Sequence, residues 1–239
     1  NEAIRDLIAR GRLNATSAMV VAPSLTDAEA IALAELKRGM PQLQIGLHFT
    51  LTAPFRPASD AYTPLKQDAF LPLTPPLGSA LIARLDRARV AQELRAQIGA
   101  FSQRFGFLPD YVDGHQHVQI FPQIRDAFLT AVHSAAPHAW VRQCGRNQAL
   151  TRRLSQPKSL LLDSLSVQFR ARAKRAGIAC NPGFAGAYDF RRTSDFGGQM
   201  QDFLDGLRDG GLVMCHPGYV DQTLISLDPV TDQRERALS

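Results

Sequence analysis

The apolar residues of this chain recur with two different periods, and the two periods alternate along the sequence. Spacings of three and four residues, as at Val90, Leu94 and Ile98, predict amphipathic helices. Short runs rich in valine, isoleucine and leucine predict buried strands. The predicted helices cover residues 4–11, 27–38, 85–105, 123–134, 159–175 and 196–209, and the predicted strands cover 17–22, 43–51, 111–120, 139–142, 178–180 and 212–216.

Strands that alternate with helices predict parallel β-α units. A chain with about six of each suits either an α/β barrel or a doubly wound sheet. With 239 residues, 45% of them hydrophobic, the chain is long enough for one sizeable core. We therefore expect an α/β fold with one domain over residues 1–239.

A proline-rich segment at residues 54–78 interrupts this pattern. Its six prolines predict a long excursion without regular elements. Long excursions in compact domains often form lids or binding edges, so we expect part of a substrate surface here. The alternative is an insertion that the fold merely tolerates.

Charge and cysteine content narrow the functional classes. The formal net charge is +5, but the basic residues are dispersed except at 170–175, where they fit the end of a helix. We therefore expect no nucleic-acid partner. Three scattered cysteines predict no disulfide framework, which favours a cytoplasmic location. The sequence has no run of about 18 apolar residues, so we expect no membrane span.

The residues most suited to chemistry lie in the stretch Asp113-Gly-His115-Gln-His117. On a strand, alternate side chains share a face, so Asp113, His115 and His117 would point the same way. A carboxylate and two imidazoles on one buried face are costly to desolvate unless a cation or a reaction employs them. For this motif alone, a hydrogen-bonded pair of core histidines is an equally good interpretation.

Four of the six histidines, His48, His115, His117 and His216, lie at or near the ends of predicted strands. In a barrel, strand ends meet around one pocket, so these histidines could converge although they are far apart in sequence. Two imidazoles and a carboxylate with open positions make a hydrolytic metal site. His133 and His138 fit the surface or simple packing.

Further residues have candidate roles in hydrolysis. His216 could protonate a leaving nitrogen. Arg142, at a strand end, could orient a carboxylate or stabilise oxyanion charge, although an ordinary surface arginine is as good an interpretation. The loop at 181–186 contains glycines that let backbone approach a ligand, so Asn181 and Phe184 are candidate substrate contacts.

Five stretches resemble the YdjC-like carbohydrate deacetylases, which include bacterial chito-oligosaccharide deacetylases, in the same order and with similar spacing. Together they span most of the chain, and the two histidine motifs are the specific part of the match. The stretches are Asn1-Glu-Ala-Ile, Ala15-Thr-Ser-Ala-Met-Val, Ile45-Gly-Leu-His48-Phe-Thr-Leu, Asp113-Gly-His115-Gln-His117-Val with Phe121-Pro122, and Val213-Met-Cys-His216-Pro-Gly.

The resemblance implies a distorted TIM-like (β/α) barrel that uses Mg²⁺ or Zn²⁺ to remove an N-acetyl group from an acetylated amino sugar. It implies that His48 and His115 bind the metal. By the same resemblance, Asp113 and His117 support the ligands or contact the saccharide, and His216 is the general acid.

One departure from the family pattern affects the expected site. Family members carry Ala-Asp-Asp-Phe-Gly on a first strand just before the Asn-Glu-Ala helix, and this sequence begins after that point. The first strand is thus expected to be missing, together with the aspartates that supply a metal ligand and the base. Three hypotheses stay open: a deacetylase, a catalytically silent barrel that binds saccharide or metal, and another barrel hydrolase or phosphoesterase. A homodimer is one open alternative for its assembly.

Overall fold

The structure is a computed structural model that describes residues 2–72, 85–146, 157–186, 196–222, 225, 234–235 and 237–238. These residues form six α-helices, one 3-10 helix at His115–Ile120 and eight strands. The helices are α1 Glu2–Ala9, α2 Asp27–Gly39, α3 Arg87–Phe105, α4 Pro122–Ala135, α5 Pro157–Arg175 and α6 Phe196–Leu204. The strands are β1 Ala15–Ala18, β2 Gln44–Phe49, β3 Leu65–Lys66, β4 Ala69–Phe70, β5 Tyr111–Gly114, β6 Trp140–Val141, β7 Phe184–Ala185 and β8 Leu212–Val213.

The main sheet is parallel and follows the order β1-β2-β5-β6. Single parallel bridges continue it, from Val141 to Cys180 and from Arg146 to Phe184, and β7 pairs in parallel with β8. The α/β class and its parallel strands are confirmed, in an arrangement consistent with a distorted barrel. Pairing between β8 and β1 is not among the contacts of the described residues.

The helices cover the sheet and enclose a core rich in phenylalanine. Helix α3 begins where the Asp86 carboxylate accepts the Ala88 N–H at 2.8 Å and ends at Gly106, whose φ of 79° suits glycine. The helical spacing predicted at 85–105 is therefore confirmed. None of the described helices is long and apolar enough to cross a bilayer.

The strand predicted at 111–120 is wrong beyond Gly114, because the chain there turns into the 3-10 helix. Gln116 and His117 have φ angles of 52° and 59°, in the left-handed region that non-glycine residues rarely adopt. A Cβ at Gly114 would overlap the side-chain amide oxygen of Gln119, so a larger residue there would have to displace the end of the Gln119 side chain. Side chains do not alternate across such a turn, and the argument that placed Asp113, His115 and His117 on one strand face fails.

Other predicted strands are shorter than expected. The strand predicted at 17–22 lies at Ala15–Ala18, and the one predicted at 212–216 covers only Leu212–Val213. Residues 178–180 contribute a single bridge at Cys180, whereas the predicted loop at 181–186 contains strand β7. Pro182 and Gly183 lie between the bridge at Cys180 and strand β7, where they interrupt the ladder.

The proline-rich excursion contains regular structure after all, although its prolines argued against it. Strands β3 and β4 pair as a short antiparallel hairpin. The N–H of Phe70 donates to the carbonyl of Phe55 at 2.9 Å, and the N–H of Ala53 donates to Leu71 at 3.2 Å. Residues 73–78 of the predicted excursion lie outside the described residues.

A candidate active site at the strand ends

The candidate site lies where β2, β5 and β6 end side by side. The parallel register makes His48 and Asp113 direct partners, and Arg142 follows Val141, the partner of Val112. Three polar side chains from three strands therefore meet at one edge of the sheet. Their convergence follows from the register, as expected for a parallel α/β fold.

Asp113 is the electrostatic centre of this cluster, and its side chain is 3% exposed. One carboxylate oxygen lies 2.6 Å from Nδ1 of His48, and the other lies 2.8 Å from Nη1 of Arg142. The Ser17 hydroxyl lies 3.4 Å from the second oxygen. Burial alone would raise the pKa of Asp113, but the charges of Arg142 and His48 outweigh it and lower this pKa to about 2. Asp113 is therefore ionised at neutral pH.

His48 and His115 face each other across the site, with Nε2 of His48 3.4 Å from Nδ1 of His115. Since Nδ1 of His48 faces the Asp113 carboxylate at 2.6 Å, Nδ1 is the nitrogen that donates to it, and Nε2 is the nitrogen that faces His115. Burial, with a further contribution from His48, lowers the pKa of His115 to about 3, so this ring is neutral. Neutral imidazoles are the form in which histidine binds metal ions.

This pair fits two ligands of one cation. Nitrogen atoms about 2.0–2.1 Å from a tetrahedral ion are separated by roughly 3.4 Å, and the two histidine nitrogens lie 3.4 Å apart. The contact of Asp113 with the other nitrogen of His48 matches the carboxylate that commonly orients a ligating histidine. The parts of the chain that the structure describes contain no group of three or more histidine, cysteine or acidic side chains arranged to hold a metal. Within those parts, the facing nitrogens of His48 and His115 are the pair whose spacing suits a cation.

Arg142 is a buried residue with several partners, so its interpretation as an ordinary surface arginine is wrong. Its side chain is 2% exposed, and Nη2 donates to the carbonyl of Gly114 at 2.7 Å. Its Nη1 also lies 3.2 Å from the sulfur of Met214. Together with the ion pair to Asp113, these contacts fix the guanidinium against the turn that presents His115.

His117 is directed by the left-handed turn toward β6 and β7. Its Nδ1 lies 3.3 Å from Sγ of Cys144, and its ring is edge-on to Phe184 with centroids 5.8 Å apart. Burial and then the charge of Arg142 lower the pKa of His117 to about 3. The structure thus brings His117 and Phe184 together, and it adds Cys144, a contact that no sequence motif indicated.

The remaining predicted residues have different surroundings. Burial, followed by the charges of Arg234 and His48, lowers the pKa of His216 to about 4, which indicates that His216 lies in the neighbourhood of the cluster. The side-chain amide of Asn181 accepts the Gln143 N–H at 2.8 Å and donates to Gly183 at 2.7 Å. Asn181 therefore ties together the backbone that follows β6 and the backbone that precedes β7. Its role as a substrate contact stays a prediction, as does that of the buried Phe184.

Phe55, which the sequence analysis did not single out, also reaches the site. Its ring stands at 83° to that of His115, with centroids 6.4 Å apart. The residue is half-buried and lies in the proline-rich excursion. Only the general expectation that this segment borders the substrate pointed toward it.

Comparisons with known proteins agree with this architecture. Residues 1–238 match a family model described as YdjC-like protein. A chitooligosaccharide deacetylase from Yersinia pestis (strain Pestoides F) is 31% identical over 232 residues, which cover 95% of this chain and 79% of that protein. One from Yersinia pseudotuberculosis serotype O:3 (strain YPIII) matches with the same identity and coverage. A solved structure from Enterococcus faecalis V583, described as a cellobiose-phosphate cleavage protein, shares the fold with a TM-score of 0.70 at 18% identity, covering 99% of this chain and 82% of that one.

Proposed function

The chain belongs to the YdjC-like protein family, and on that premise we propose that it is a hydrolase that removes an N-acetyl group from an amino sugar or chito-oligosaccharide. The observation that carries the proposal is the pair of imidazoles, His48 and His115, whose facing nitrogens lie 3.4 Å apart. A carboxylate held ionised stands directly behind them. The relatives that the chain resembles over 95% of its length are named chitooligosaccharide deacetylases.

We further propose that His48 and His115 hold a divalent cation, Mg²⁺ or Zn²⁺. When bound, such a cation supplies Lewis acidity toward the amide carbonyl and lowers the pKa of water. Asp113 keeps the proton of His48 on Nδ1, so that Nε2 presents its lone pair. Arg142 keeps Asp113 ionised and holds the turn that carries His115. A third ligand must come from outside the described set of donors.

His216 is the proposed proton carrier. Because burial and neighbouring cations lower its pKa to about 4, its imidazole is neutral at pH 7. A neutral imidazole first accepts a proton from the attacking water and then donates it to the leaving nitrogen. The acid role that the sequence predicted for His216 therefore requires a preceding step as base.

Acetate release from N-acetylated chito-oligosaccharides tests this function. We would compare the whole protein with its His115→Ala variant, each with and without added Zn²⁺ or Mg²⁺. The expected result is metal-dependent release that falls at least about 100-fold in the variant, because a ligand is lost. His133→Ala is the matched control, since His133 is exposed near the end of helix α4.

The second candidate is a barrel that binds saccharide or metal without turnover. The observation that favours it is that the described residues contain only two facing nitrogen donors and no larger group. Metal binding by the wild-type protein without acetate release from any N-acetyl sugar would support this alternative and contradict the deacetylase.

A further inference from the structure

A second buried carboxylate, that of Glu93, lies outside the strand-end cluster. Glu93 is on helix α3 and is 0% exposed. Its two oxygens accept the backbone N–H groups of Ala58 at 2.9 Å and Ser59 at 2.8 Å. Burying a carboxylate without hydrogen-bond partners costs much free energy. The backbone N–H groups that bond to a buried carboxylate are therefore held firmly in place. Glu93 therefore anchors the start of the excursion to α3.

Gln97, one turn further along α3, anchors the preceding residues. Its side-chain oxygen accepts the Thr50 N–H at 3.1 Å, and its nitrogen donates to the Thr50 carbonyl at 2.8 Å. The same nitrogen lies 2.7 Å from Glu93, so the two side chains form one connected unit. Residues 50–59 are thus attached to α3 at both ends.

Phe55 lies between these two anchors and is fixed from a third direction. Its carbonyl accepts the N–H of Phe70 in strand β4 at 2.9 Å. Phe70 in turn packs edge-on against Tyr62, with centroids 5.1 Å apart. The backbone of Phe55 therefore has little freedom, and its half-buried ring is held beside His115.

We propose that Phe55 is a substrate-contacting residue beside His115 and that Glu93 is the positioning residue that holds it there. The ligand class is a pyranose N-acetylated at one carbon, because a sugar ring with equatorial substituents exposes an apolar C–H face that packs on an aromatic ring. This inference rests on the proposed function and deepens it. Helix α3, which contributes no side chain to the strand-end cluster, thereby affects how the substrate binds.

Three variants separate positioning from plain stability. Phe55→Ala removes the aromatic ring beside His115. Glu93→Gln removes the carboxylate with little change of side-chain shape. Ile98→Val is the matched control. Ile98 is buried on the same helix, and its aliphatic side chain forms no hydrogen bond to the 50–59 segment. For each variant we would measure Tm, amide hydrogen exchange of residues 55–62, KM and kcat for acetate release, and calorimetric binding of N,N'-diacetylchitobiose.

We expect Phe55→Ala to raise KM at least about tenfold, with a smaller change in kcat and a Tm near that of the wild type, because an aromatic contact with the ligand is lost. Glu93→Gln should speed the exchange of the Ala58 and Ser59 amides and raise KM in the same direction. Ile98→Val should lower Tm without either effect. Phe55→Leu, which keeps an apolar side chain, should have an intermediate KM.

Several results would overturn the inference. An unchanged KM and affinity in Phe55→Ala would show that the ring does not contact the ligand. Faster exchange without a change in KM in Glu93→Gln would reduce Glu93 to a structural anchor. If the wild type binds the disaccharide but releases no acetate, the deacetylase proposal fails on its own, and loss of binding in Phe55→Ala would still support the inference. A wild type that neither binds nor hydrolyses the disaccharide contradicts both.

Discussion

Asp113 and Glu93 are both buried carboxylates, but they belong to regions with opposite electrostatics. Asp113, at the strand ends, has Arg142 against one oxygen and His48 against the other, and its pKa falls to about 2. Glu93, beneath the 50–59 segment, has only N–H donors, and burial raises its pKa. Equal burial therefore leads to different protonation behaviour, depending on whether cations or amides surround the group.

This difference corresponds to two tasks. A carboxylate compensated by cations keeps a full charge and so sets a defined electrostatic field at the strand ends. A carboxylate compensated by backbone N–H groups fixes a segment of chain, because each donor is committed to it. The strand-end cluster provides the chemistry, and the anchor on α3 provides the shape around it.

Removing the cation from Asp113 should have the largest effect on the protein. Arg142→Met leaves a buried carboxylate without its ion pair, and we expect the free energy of unfolding to fall by about 3–5 kcal/mol, with loss of acetate release. Urea unfolding and the acetate assay measure the two effects. Arg172→Met is the control, since its pair with Asp126 is 48% exposed on the arginine side and should contribute less than about 1 kcal/mol. Equal losses in the two variants would contradict the central role of Arg142.

Removing a donor from the second carboxylate should have a smaller effect. Gln97→Leu withdraws one N–H from Glu93 and leaves both backbone groups of Thr50 without their partner. We expect a loss of about 2–3 kcal/mol in urea unfolding, because buried polar groups become unsatisfied. Gln103→Leu, an exposed change on the same helix, should stay within about 0.5 kcal/mol. A near-neutral Gln97→Leu would mean that water replaces the amide.

The smallest expected effect is the pH dependence of the stability that Glu93 contributes. Because burial raises the pKa of Glu93 above its unfolded value, the stability it contributes is complete below about pH 4.3 and is lost as the pH rises through the folded pKa. The neighbouring titratable group, Tyr62, stays neutral, since burial raises its pKa as well. The wild type should therefore lose stability relative to Glu93→Gln in urea titrations as the pH rises above the unfolded pKa. A constant difference would show that Glu93 titrates alike in both states.

The helical part of the fold follows well from the sequence, whereas the strand ends do not. Helix α3 is predictable because its apolar spacing, its Asp86 cap and its Gly106 stop all agree. The strand that contains Asp113 ends at Gly114, short of the end predicted at Ile120, because Gln116 and His117 adopt left-handed dihedrals that no residue type there signals. The pattern of apolar residues indicates which positions are buried, but it does not distinguish a strand from a buried turn of the same length.

The candidate site shows the same division. The sequence predicted that His48 and His115 converge, since strand ends meet in a parallel fold, and their rings do face each other. The distance between the facing nitrogens of His48 and His115 was not predictable, and neither was the contact between Cys144 and His117, because such contacts depend on register and turn geometry. Glu93 reads in the sequence as one more polar residue of a helix, and only its position beneath the excursion reveals its partners.

The parallel register of β2 and β5 has a consequence for how the protein folds. His48 and Asp113 are 65 residues apart in the chain, so the pair exists only once two distant strands have aligned. Contacts between residues so far apart in sequence form late in folding, because the entropy of closing the long loop is lost before the contact contributes any stability. The His48–Asp113 pair should therefore form only with the native sheet, and a probe of this pair followed during refolding would report when β2 and β5 align.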